Sequence, residues 1–177
     1  MKRIAALLLL CPLSAVAVGE SPADPGPASA CAAAEYRQFD FWLGHWNVLS
    51  DDRTAGTNEI RSIHGGCALQ ENWRGAGEDG MTGTSLNAYD RATGRWHQTW
   101  IDSGGTLLEL EGGLVDGVMV LSGDQPGAGG GRGIRHRISW TPNPDGSIRQ
   151  LWEASQDNGA TWSVLFDGQY QPAGADG

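Results

Sequence analysis

Residues 86–102 read LNAYDRATGRWHQTWID, and their pattern decides the fold class. Two runs flank RATG, residues 91–94, whose glycine supplies the positive φ that a tight connection demands. In the second run Trp96, Gln98 and Trp100 share one face while His97, Thr99 and Ile101 share the other. That period of two belongs to a strand. So short a connection makes the two strands antiparallel neighbours.

The same grammar extends in both directions. SGG (103–105), VDG (115–117), NPDG (143–146) and DNGA (157–160) punctuate the chain, and no amphipathic helical stretch of ordinary length lies between them. Ten strands are predicted, over 45–51, 56–64, 67–75, 81–90, 95–102, 106–112, 117–123, 133–141, 147–156 and 161–170. A meander of that size hides its two edges most simply by closing. The fold expected is therefore all-β, a single antiparallel up-and-down barrel of about ten strands. DQPGAGGGRG, residues 124–133, is its one long glycine-rich loop, read as a tolerated insertion.

Upstream, FDFWLGHWNV (39–48) packs four aromatic rings into ten positions. Phe39 to Gly44, with Trp42 among them, is expected to form a short helical or turn-like lid, and Trp46 to lie across one barrel end. Both tryptophans are read as structural.

Before the barrel the chain carries an address. Lys2 and Arg3 precede an apolar run from Ile4 to Leu13 and an A-x-A pattern at Ala15-Val16-Ala17, which reads as an export signal over residues 1–17. Lipoprotein processing at Cys11 is disfavoured by the bulky Leu10 before it. Residues 18–34, rich in Ala, Pro, Gly and Ser, are expected to be a disordered tether, 35–171 the barrel domain and 172–177 a flexible tail. The protein is expected to be periplasmic or extracellular, with no membrane insertion after cleavage.

Charge limits the partners. The chain carries a net charge of −9, and removing Lys2 and Arg3 leaves ten arginines against 21 acidic residues, near −11. Nucleic acid is excluded as a partner, and anionic membranes are poor ones. Lys2 is the sole lysine, so no Schiff-base, P-loop or Ser-Lys chemistry is available. Cys31 and Cys67 survive cleavage and are expected to pair in an oxidising compartment. His64 beside Cys67 does not make a metal site, and no cofactor signature is present.

Period-two reading of the predicted strands isolates mixed faces. Leu69, Glu71 and Trp73 share one, and Arg149, Leu151 and Glu153 another, opposite Ile148, Gln150 and Trp152. An apolar wall broken by a charge is what a ligand-holding barrel shows. Glu71, Trp73, Trp100 and Arg149 are therefore the candidate residues for an unknown small ligand. An enzyme would have to combine His97 or His136 with Glu71, Glu109 or Glu153, and no catalytic signature such as G-x-S-x-G or H-E-x-x-H supports it. No catalytic residue is assigned. An envelope module that binds protein or glycan on its outer surface is a further alternative.

Gly44-His45-Trp46 resembles the G-x-W signature with which calycins begin, the superfamily of lipocalins and fatty-acid-binding proteins. FDFWLGHW, GGCALQENW, LNAYDRATGRWHQTWID, RISWTPNPDGSIRQLWEAS and TWSVLFDGQY together resemble a family of uncharacterised bacterial secreted proteins with a calycin-like barrel. The resemblance covers residues 39–171 and implies a fold and export but no activity. Related nitrobindin-like barrels hold haem through a histidine on a late strand, and this chain has none after His136. SQDNGATW (155–162) is similar to the Asp-box of sialidase propellers, yet no blade-length repeat accompanies it. It is read as a hairpin turn in which Asp157 accepts from backbone amides and Trp162 anchors the next strand.

Overall fold

The structure is a computed structural model and describes residues 30–127, 131 and 133–174. The expected export signal, residues 18–29 of the expected tether and the last three residues lie outside that range.

Ten antiparallel strands close into one up-and-down barrel. They are β1 (Gly44–Ser50), β2 (Arg53–Ile63), β3 (Ala68–Gly75), β4 (Thr82–Asp90), β5 (Arg95–Asp102), β6 (Leu107–Val115), β7 (Val118–Gln125), β8 (Ile134–Pro142), β9 (Ile148–Ser155) and β10 (Ser163–Pro172). Each pairs with its sequence neighbours, and β1 closes the ring on β10 from Trp46 opposite Pro172 to Leu49 opposite Gln169. Ten strands were expected and ten are found, with ends within three residues of the predicted ones.

Local chemistry explains the turns. The β1–β2 connection is two residues long, and Asp51 (φ 49°) and Asp52 (φ 59°) both hold left-handed backbone. That twist matches the right-handed twist of the strands it joins, and aspartate tolerates it better than most residues. Asp116 and Gly117 repeat the device between β6 and β7.

Two boundaries differ from expectation. Residues 30–34 are ordered rather than part of a tether, because Cys31 is bonded to Cys67 just before β3, with Cα atoms 5.0 Å apart. A 3₁₀ turn over Ala34–Arg37 follows at once. At the other end Pro172 pairs with Trp46 and the Ala173 N–H donates to His45 O at 2.8 Å, so these two residues belong to the barrel rather than to the expected tail.

Connections in a meander fall alternately at the two barrel ends, and these ends differ. One is plugged. A second 3₁₀ turn, Asp40–Trp42, folds Phe39 and Trp42 into the barrel mouth, where both are fully buried. Phe39 stacks on Trp42 (centroids 4.9 Å, interplanar angle 18°) and meets Trp96 and Trp140 edge-on at 5.6 and 5.1 Å. Trp46 points inward, 6% exposed, and its Nε1–H donates to Trp42 O at 2.9 Å. Phe39 and Trp42 thus form the plug and Trp46 buttresses it from β1. The opposite end, where β3–β4, β5–β6 and β9–β10 turn, has no such plug among the described residues.

Candidate functional site

Which face of each strand points inward sets the site. On β3, Leu69 and Glu71 are buried with Trp73 beside them; on β5 the inner face holds Trp96, Gln98 and Trp100; on β9 it holds Ile148, Gln150 and Trp152. On β10 a bulge between Val164 and Phe166 inserts Leu165, after which Phe166 pairs with Trp152 of β9 and its ring meets Trp73. Of these, Glu71, Trp73, Gln98, Trp100, Gln150, Trp152, Leu165 and Phe166 surround a cavity of about 240 Å³ beneath the unplugged end.

The cavity has aromatic walls and a polar floor. Trp73, Trp100, Trp152 and Phe166 form the walls, with Met81 and Leu165 at the mouth and Leu108 and Ile138 completing the sides. Two indoles are held by their N–H groups: Trp100 donates to Asp102 at 3.2 Å, and Trp152 to His136 Nδ1 at 3.1 Å. Trp73 meets Phe166 edge-on at 6.1 Å.

Gly83 makes room for Trp100. A Cβ on it would fall 2.2 Å from the Trp100 ring, so the indole would have to move or leave its rotamer. Gly83→Ala is expected to destabilise by about 1–3 kcal/mol, the usual range for overpacking. Denaturation midpoints check it, and an unchanged midpoint would show that Trp100 is loosely held.

Glu71, Gln98, Gln150 and Tyr170 form the floor. Glu71 accepts from Asn58 Nδ2 at 2.7 Å and from Ser85 Oγ at 2.6 Å. Asn58 also donates to the Tyr170 hydroxyl at 3.1 Å, and that hydroxyl donates to Gln150 Oε1. Asn87 donates to Ser85 at 2.8 Å and accepts from Gln98 at 2.9 Å. Seven polar side chains from six strands therefore form one belt around the barrel interior. Such a belt is costly unless its members are paired.

Burial pushes the Glu71 carboxyl up from 4.5 to about 7, although the Ser85 and Asn58 hydrogen bonds pull it down. Folding therefore favours the protonated form. The stability this confers is fully present below pH about 4.5 and is lost as pH rises to about 7, on the order of 3 kcal/mol. Burial lowers the pKa of His136 and so acts in the opposite sense. The difference between wild type and Glu71→Gln isolates the carboxyl. Urea midpoints at a series of pH values are expected to fall less with rising pH in the variant; parallel curves would show that Glu71 is solvated.

Three of the four predicted ligand residues, Glu71, Trp73 and Trp100, line this one cavity. Arg149 does not. It lies on the outer face of β9 and forms a two-pronged ion pair with Asp167 of β10 at 2.8 and 2.6 Å. Glu153 is likewise paired outside, with Arg137 at 2.8 Å. The mixed face of β9 points outward because acidic and basic partners wait there on adjacent strands. Its inner face is the one carrying Gln150 and Trp152.

The structural assignments fall as follows. Trp42 and Trp46 occupy the plugged end. Asp157 accepts from the Thr161 N–H at 2.8 Å, the Thr161 hydroxyl and the Ser155 hydroxyl, contacts that bring its pKa to about 2. Trp162 donates to Gly159 O at 3.1 Å, and the Arg137 guanidinium lies 4.1 Å above its ring. The histidines form no pair with an interior carboxylate. His136 has both ring nitrogens engaged, by Trp152 and Gln125, and His97 lies on the outer face opposite Glu111.

Gln98 and Gln150 share the period-two faces of Trp100 and Trp152, and a glutamine between aromatics carries no charge that marks it as a ligand contact. Phe166 shares the inner face with Gly168 and Tyr170, a face that carries no charge to draw notice.

No curated protein matches this chain. The family model described as protein of unknown function (DUF1579) matches residues 42–171, from Trp42 of the plug to within one residue of the end of β10. The chain therefore belongs to this family of proteins of unknown function.

Proposed function

We propose that the protein is an exported carrier that holds a small ligand, with a flat or compact apolar body and a hydrogen-bonding head, in the barrel cavity. The observation that carries this reading is the coincidence of four aromatic walls with a polar floor in one cavity beneath the unplugged end. The apolar walls supply affinity, and the floor supplies orientation. Gln150 Nε2 and Gln98 Oε1 bond to no other described side chain and are available to a ligand head.

Size narrows the ligand. A cavity of roughly 150 Å³ holds benzene, so about 240 Å³ suits one or two rings or a comparably compact molecule. It is too small to enclose a haem or an extended fatty acid. Export is supported by the leader pattern and by the Cys31–Cys67 bond. Among the described residues no helix is long and apolar enough to cross a membrane. The calycin resemblance of Gly44-His45-Trp46 agrees with a carrier.

Titration of the protein with one- and two-ring compounds, followed by tryptophan fluorescence, tests the reading. At least one compound is expected to give a saturable change that Trp73→Leu weakens and that substitution of the outer Trp162 leaves alone. A flat response to every compound would remove the carrier. It would favour the surface module, for which exposed Ile101 and Leu107, paired across the outer faces of β5 and β6, speak.

A further inference from the structure

The floor of the cavity holds a carboxyl group with no cation beside it among the described residues. Glu71 is met by Asn58 and Ile60 from β2, by Ser85 from β4 and, beyond Asn58, by Tyr170 from β10 and Gln150 from β9. Gln98 of β5, Leu108 of β6 and Ile138 of β8 complete the surroundings. None of these is basic. Tyr170 is neutral, because burial and the nearby carboxyl hold its hydroxyl well above its ordinary pKa. His136, the inward-facing imidazole of β8, receives the Trp152 N–H on Nδ1, which leaves the ring in its neutral form.

Above this carboxyl stand four aromatic rings, each with an electron-rich face. Rings of this kind attract positive charge, and tryptophan does so most strongly. The Trp100 and Trp152 indoles are fixed by Asp102 and His136, so they need not be ordered by the ligand. The outer charge is complementary as well. The chain is acidic overall, and arginines 135, 137 and 149 are tied to carboxylates outside the barrel.

We infer that the cavity takes a small organic cation of the alkylated-ammonium class, with Glu71 as its counter-ion and Trp73, Trp100, Trp152 and Phe166 as its cage. This rests on the carrier reading above and names the ligand class. A trimethylammonium head with a short arm fits the volume, and its methyl groups meet the rings while its charge meets the carboxyl.

Binding is then linked to a proton. In the empty cavity Glu71 is largely protonated below pH about 7, and a permanent cation favours the carboxylate. Each ligand bound there expels a proton, so affinity rises as pH rises toward about 7 and levels off above it.

The test titrates the full chain with choline and with its uncharged isostere 3,3-dimethylbutan-1-ol, following tryptophan fluorescence at pH of about 5.5 and about 8.5. Choline is expected to bind at least roughly tenfold more tightly at the higher pH, and there at least roughly tenfold more tightly than the alcohol, whose affinity does not change with pH. Glu71→Gln is expected to abolish the pH dependence and to reduce the preference for choline while still binding the alcohol, which shows an intact cavity. The comparison of pH and isostere in the wild type stands even if that variant does not fold. Equal affinities for choline and the alcohol, or binding of neutral aromatic compounds with none of choline, would overturn the cation assignment and leave the carrier standing. No response to any compound would remove the carrier itself.

Discussion

Trp42→Ala is expected to lower the stability of the barrel by about 3–5 kcal/mol, the range for truncating a buried tryptophan. Trp42 is fully buried, stacked on Phe39 and in contact with Trp140 and Tyr170. Truncation also frees Phe39 to leave the barrel mouth, because the stacked pair is what seats the 3₁₀ turn. Trp42→Phe is expected to cost much less. It keeps a ring against Phe39 and removes an indole N–H that has no hydrogen-bond partner among the described residues. Urea denaturation of the three proteins checks both statements. A Trp42→Ala midpoint near the wild-type value would mean that the plug contributes nothing to the fold.

Reducing the Cys31–Cys67 bond, or replacing both cysteines by serine, is expected to cost about 4 kcal/mol. The bond closes a loop spanning a sequence separation of 36 residues, and the chain-entropy relation for a loop of that length gives about 4 kcal/mol. The effect acts through the unfolded chain, so the folded barrel is expected to keep its tryptophan spectrum while its denaturation midpoint falls. Intact-mass measurement after alkylation under denaturing conditions, with and without reductant, establishes the bond itself. Two alkylated thiols in the unreduced sample would contradict it.

The strands were legible because their turns are chemically explicit. RATG, VDG and NPDG each contribute a positive-φ glycine, at Gly94, Gly117 and Gly146, and short turns leave only antiparallel neighbours. The inner faces were legible only in part. Alternation divides a strand into two faces without saying which is inside, and on β3 and β9 each candidate face mixes charge with apolar residues. Glu71 lies inside because Asn58 and Ser85 arrive from β2 and β4 to hydrogen-bond it. Arg149 lies outside because Asp167 is there to pair with it, and that pairing depends on the β9–β10 register. A bulge in β10 sets part of that register, and nothing in SVLFDGQY announces the extra residue. The placing of residues 30–34 follows from the expected Cys31–Cys67 bond, although no local pattern in the segment marks it.

The central claim, that the barrel binds its ligand inside and at one end, is tested most directly by the indole N–H resonances of the ¹⁵N-labelled protein, assigned by single Trp→Phe substitutions. Addition of a compound that changes the fluorescence is expected to shift the signals of Trp73, Trp100 and Trp152, which wall the cavity. Those of Trp42 and Trp96 at the plugged end and of Trp162 on the outer surface are expected to stay in place. Shifts confined to Trp162, or none at Trp73, Trp100 and Trp152 with every compound tried, would contradict it.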